Sequence, residues 1–217
     1  MRKAFMQIKT FLKAHPVSGK KTRAQSLVEF AISLPIILIL LTGVVEFGFA
    51  LNFYLSLLDA SREAARFYSD QDPFNADLSD RDAFYSGAAA MVRASLDPTV
   101  NDPSYQGRRI VLDPAADDVI VTVYSVSGAS VTQYPDAGPY HLYNNQTVMF
   151  STQEVTRRLV SGAPNAGILV VEVHYTYHHV LRLPWLKPLD PMTLRAYTVM
   201  PNRYAEPAAL LQNYVNK

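Results

Sequence analysis

His174, His178 and His179 lie close together in the chain, and imidazole is a common zinc ligand. On one extended strand His174 and His178 share a face but stand ~13 Å apart, too far for a single ion. A site would need a bulge bringing His179 round, or His141 joining from elsewhere, so the spacing favours no metal. Asp70, Asp72, Asp77, Asp80 and Asp82 form an acidic stretch that lacks the glycine and the bidentate glutamate of a calcium-binding helical-hairpin loop. It reads as a solvated loop. Asn145-Gln146-Thr147 fits a glycosylation pattern that recurs by chance and carries no weight. There is no nucleophile elbow, HExxH pair, phosphate-binding glycine loop or dinucleotide fingerprint. With no cysteine, thiol nucleophiles, disulfides and Cys-zinc sites are excluded together. The reading is a non-enzymatic chain without cofactor; an anchored hydrolase built from scattered Ser, His and Asp is the catalytic alternative.

Two glutamates carry more information because of their surroundings. From Phe30 to Leu58 runs FAISLPIILILLTGVVEFGFALNFYLSLL, 29 positions in which Glu46 is the only ionisable side chain; Glu29 immediately precedes it. As a helix this stretch reaches roughly 43 Å, more than the ~30 Å lipid core requires, so part of it extends past the lipid. A secretory signal would have a shorter apolar region ending in a small-residue cleavage site. A buried core helix with so long an apolar circumference would need a larger soluble core than the other residues supply. Glu29 reads as interfacial at the end of the span. Glu46 reads either as lying near the outer interface or as a helix–helix contact within an assembly. Pro35 should kink the helix or free a carbonyl. Gly43 and Gly48 are five apart and so do not make the common small-residue dimer motif.

Charge sets the orientation. Arg2, Lys3, Lys9, Lys13, Lys20, Lys21 and Arg23 precede the span with no acidic residue among them, whereas Arg62 and Arg66 are the only basic residues soon after it. The positive-inside rule then leaves the amino terminus in the cytoplasm and exports the remainder. Basic residues confined to one end do not make a nucleic-acid surface. The predicted organisation is a basic cytoplasmic leader over 1–24, a membrane-spanning and projecting helix over 25–70, and an extracytoplasmic domain over 71–217.

The elements beyond the span predict an α+β domain with an antiparallel sheet. Ser79 and Asp82 form a capping signature for a helix over Arg81 to Leu96, in which Phe84, Ala88, Met91, Val92 and Leu96 make one buried stripe. Alternating patterns predict strands over Arg109 to Leu112 and Asp118 to Val126, the latter with one face covered and one partly wet. Ile168 to Leu183 is dense in β-branched and aromatic residues and predicts a long strand ended by Pro184, pairing antiparallel with Thr193 to Met200. Between 134 and 166, Gln146 to Val160 reads as a short helix or an edge strand, and the pattern favours a helix over Thr152 to Leu159.

Residues 25–70 resemble the TadE-like family of pseudopilins. The resemblance is carried by Gln25-Ser26-Leu27-Val28-Glu29-Phe30-Ala31, the pair Leu34-Pro35, the triplet Glu46-Phe47-Gly48 and the stretch Ser61-Arg62-Glu63-Ala64-Ala65-Arg66, in that order. It implies a minor pilin or pseudopilin of a tight-adherence (Flp) type IV pilus system, in the cytoplasmic membrane or in a pilus, with membrane lipid, other pilin-type subunits and pilus assembly proteins as partners. It further implies a prepilin peptidase cutting five residues ahead of Glu29, between Ala24 and Gln25; family members commonly have Gly before the cut, where this chain has the similarly small Ala24. Helix assembly would then involve Glu29, Pro35 and Glu46, with Glu29 neutralising the new amino terminus of a neighbouring subunit. The alternative is an uncleaved, membrane-tethered binding or scaffold module.

Overall fold

The computed structural model describes residues 20–74, 81–160, 162 and 164–207. The leader up to position 19, and the capping Ser79 with Asp77 and Asp80, lie outside the described residues. The chain divides into two compact units, Met1–Val45 and Glu46–Lys217, with the division falling inside the first helix.

That helix, α1 (Lys20–Tyr68), contains Pro35 in its interior. In the first unit its large apolar side chains are exposed on all sides, among them Leu27, Phe30, Ile32, Ile37, Leu40 and Val44. Its most apolar window has a mean hydropathy of 2.4 and is 0% buried within the chain, which removes the buried-core-helix reading. Among the described residues none takes this helix surface out of water, so it fits a single-pass membrane anchor.

The second unit begins at Glu46 and has an α+β architecture. Leu57, Ala60, Ala64 and Ala65 of α1 pack against Phe84, Tyr85, Ala88, Ala89, Val92 and Leu96 of α2 (Arg81–Leu96). The alanines leave room for close helix approach, while the larger residues supply roughly 1.5–3 kcal/mol each when fully buried. Together the helices cover one face of an antiparallel sheet: β1 (Asp118–Ser127), β2 (Ser130–Tyr134), β3 (Tyr140–His141), β4 (Ala166–Tyr177) and β5 (Met192–Pro201). The order is β2-β1-β4-β5, with β3 also pairing with β1. Val119, Val121, Val123, Leu169, Val171, Val173 and Ala196 fill the helix-facing side. Gly167 is required by contact rather than by turn geometry: a Cβ there would overlap the backbone of Asn202 and Ala205, and the Gly167 carbonyl accepts the Asn202 N–H at 2.9 Å.

The opposite face is also covered, which corrects the expectation of a partly wet side on β1. Nine of its ten residues are buried, because the chain between β3 and β4 folds over them. That segment carries Phe150, whose carbonyl accepts the Tyr124 hydroxyl, and α3 (Thr152–Arg158), whose first turn is capped by Ser151 accepting the Glu154 N–H at 3.3 Å. Arg109 to Leu112 is not a strand. Ile110 and Leu112 are buried without a strand partner, and the Ile110 N–H goes to the Leu96 carbonyl at 2.8 Å, closing the end of α2. The long strand expected to reach Leu183 stops at Tyr177, for a reason that lies in the site.

Candidate functional site

Gln25 and Glu29 are one helical turn apart on α1, and the Gln25 Nε2 donates to Glu29 Oε1 at 3.0 Å. Both are exposed. This is the spacing at which side chains on a helix face one another. The Ala24–Gln25 bond lies within α1, which starts at Lys20. Pro35 does not end the helix. Ser33 bonds back to the Phe30 carbonyl at 3.2 Å, and Thr42 to the Leu38 and Ile39 carbonyls.

Glu46 is different. It opens the second unit, is only 4% exposed, and is enclosed by groups of that unit. Its Oε1 accepts the Tyr177 hydroxyl at 2.6 Å and the Val180 N–H at 2.8 Å, and its Oε2 accepts the Leu181 N–H at 3.0 Å. The His179 N–H goes to the Asp190 carboxylate at 3.2 Å and these two N–H groups to Glu46 instead of to a strand partner, so β4 does not continue beyond Tyr177. Burial pushes the Tyr177 phenol above its ordinary range, and the bond to Glu46 pushes it further in the same direction. Phe53, two turns along α1, holds the aromatic side of this arrangement, stacking on Tyr175 at 5.8 Å and meeting Tyr177 edge-on at 5.1 Å. The Arg108 guanidinium sits 4.4 Å from the Phe53 ring centre.

The histidines do not converge. His174 is buried on β4, 3.4 Å from Glu172, and its Nδ1 has no hydrogen-bond partner among the described residues. His178 and His179 lie beyond the strand, so the shared face expected for His174 and His178 does not exist; both approach Asp190, at 3.3 and 3.4 Å. Desolvation opposes ionisation of Asp190, but the His179 N–H and the two imidazoles outweigh it and hold the carboxyl below its usual value. His141 pairs with Asp118 at 2.8 Å. Among the described residues no group of three His, Asp or Glu could hold a metal ion.

Sequence reasoning missed two buried carboxylates on the covered face. Asp118 accepts the N–H groups of Tyr143 at 3.0 Å and Asn145 at 3.2 Å besides His141. Its burial raises the carboxyl pKa, yet those donors outweigh burial and leave it lowered. Glu172 accepts the N–H groups of Met149 at 2.7 Å and Phe150 at 3.1 Å. Nearby, burial and then the charge of Glu172 push Tyr124 up to about 12. These groups anchor the chain between β3 and β4 to the sheet. Their only sequence signal was an acidic residue at the start or centre of a strong strand.

The family model described as TadE-like protein matches residues 24–66, about a fifth of the chain. That stretch holds Gln25, Glu29, Pro35 and Glu46. No curated protein and no solved structure matched. The match supports a component associated with Tad pili in general.

Proposed function

Taking residues 24–66 as TadE-like, we propose that this chain is a minor pilin or pseudopilin of a tight-adherence type IV pilus. It is anchored in the cytoplasmic membrane with its amino terminus inside and its second unit exported. The observation that carries the reading is an apolar helix, left uncovered by the described residues, with Glu29 at its start. Prepilin peptidase cuts between Ala24 and Gln25, unwinding the first turns of α1 to reach the bond. The new α-amino group at Gln25 then carries a positive charge, which would cost several kcal/mol unpaired in lipid. Glu29 of a neighbouring subunit neutralises it, and Pro35 adapts the helix to its neighbours. Lipid, other pilin-type subunits and assembly proteins are the partners, with no catalytic role.

The test is intact mass with amino-terminal sequencing of protein extracted from membranes containing an active prepilin peptidase. The expected terminus is Gln25; a chain still beginning at Met1 contradicts the processing step. Glu29→Ala separates this reading from an uncleaved tethered module, because a tether tolerates the change and assembly does not.

A further inference from the structure

The sheet ends at β5, and among the described residues no strand pairs with its outer edge. Beside that edge lies an open groove of about 910 Å³ in the second unit. One wall is β5 residues 197–200, four in succession, and the other includes Leu58, Arg66 and Phe67 of α1 and Met91 of α2. Successive strand side chains point to opposite faces, so a groove lined by four consecutive residues follows the backbone edge and not one face. Along it, alternate N–H and C=O groups point away from β4. Proteins usually blunt such an edge with a short strand, a bulge, a lysine or a proline. β5 has ten residues and pairs with β4 in unbroken register from Met192 to Pro201; its one proline is Pro201, the last residue. Phe67 and Val199 stand 55% and 45% exposed beside it.

The groove is also basic. Arg66 has no carboxylate partner among the described residues, and Arg62 meets only the exposed Asp59 at 3.6 Å. Glu63, the acid in the wall, accepts the Ser95 hydroxyl at 2.8 Å. Pairing β5 of two copies would gather Arg62, Arg66 and Arg195 from both, which disfavours self-association through this edge.

We propose that the outer edge of β5 takes up an extended segment of a partner protein, with apolar side chains at alternate positions and at least one carboxylate facing Arg66. Main-chain bonds to β5 supply affinity, and the apolar wall with Arg66 supplies selectivity. The inference goes beyond the pilin reading and does not depend on leader cleavage.

The test uses the full chain in detergent micelles and a labelled synthetic decapeptide in which valine alternates with threonine and two aspartates. Anisotropy should show saturable binding, and amide exchange at outward-facing positions of 197–200 should slow at least tenfold. N-methylation at alternate residues of the peptide should weaken binding at least tenfold in one parity and little in the other. Lysine in place of the aspartates should weaken it at least tenfold, and Arg66→Glu, at an exposed position, should reverse that preference. No saturable binding, equal effects of both methylation parities, or a preference unchanged by Arg66→Glu would each overturn the proposal.

Discussion

Replacing Glu46 by alanine should release the chain that follows β4 without unfolding the sheet. The carboxylate accepts one phenolic and two backbone donors at 2.6–3.0 Å, from Tyr177, Val180 and Leu181. A hydrogen bond to a charged group contributes about 1.5–3 kcal/mol, and a buried donor left unpaired costs a similar amount. Val180 and Leu181 are partly exposed, so water recovers some of this. A local loss of about 3 kcal/mol remains, equivalent to roughly a hundredfold change in an opening equilibrium. The assay is amide exchange of the full chain in detergent, followed on peptides covering 178–183. Glu46→Ala should speed exchange of Val180 and Leu181 about a hundredfold, while β1 amides stay protected because the opening is local. Glu46→Gln keeps a carbonyl acceptor and should give about tenfold; Tyr177→Phe removes one of the three bonds and should give less than the alanine variant. Exchange within about twofold of the parent in Glu46→Ala would refute the reasoning. So would a Tyr177→Phe effect as large as that of Glu46→Ala.

Asn202 is fully buried and makes four bonds: its Nδ2 donates to the Tyr68 and Gln71 carbonyls, and its Oδ1 accepts the Tyr204 and Ala205 N–H groups. Asn202→Ala should therefore destabilise the second unit by about 2–3 kcal/mol in chemical denaturation, since it orphans the end of α1 and the turn after β5 together. Asp118 has a lowered pKa in the folded chain, so the stability it contributes is present above its unfolded pKa of about 3.9 and is lost as pH falls through the folded value. Asp118→Asn should be less stable than the parent at pH 7 by about 1–3 kcal/mol, and the two denaturation curves should draw together below about pH 4.

Most helices were legible because their signals are local. The apolar run needed no partner to identify it, and the Ser79 and Asp82 signature with the stripe from Phe84 to Leu96 predicted α2 with the bounds it has, Arg81–Leu96. β1 and β5 came within one residue of their expected bounds because alternation persists over most of their length. β4 was overextended because Val180 and Leu181 continue a strand-like pattern, whereas the acceptor that diverts their N–H groups lies 134 and 135 residues away in sequence. Local composition carries no trace of such an acceptor. The burial of both faces of β1 was hidden in the same way: Thr122 looks like a wet position until the chain between β3 and β4 is placed over its face. β2 and β3 are five and two residues long, too short for periodicity to separate them from the turns at their ends.

Of the two acidic residues at and within the apolar run, the structure gives them unlike surroundings, and this bears on which one serves assembly. A carboxylate bound by three donors of its own unit has little capacity left to recruit a neighbouring helix, and giving up those bonds would unpair two backbone N–H groups. Glu46 is therefore better suited to fastening the loop after β4 to α1 than to bridging subunits. Among the described residues Glu29 is bound only by the neutral amide of Gln25, a bond easily exchanged for one to a cationic amino group, which binds a carboxylate more strongly than an amide does. On the proposed pilin reading, charge pairing between helices would act through Glu29, and substitutions at the two positions should separate: Glu29→Ala should lower incorporation with exchange at 180 and 181 unchanged, whereas Glu46→Ala should raise that exchange even in the isolated chain.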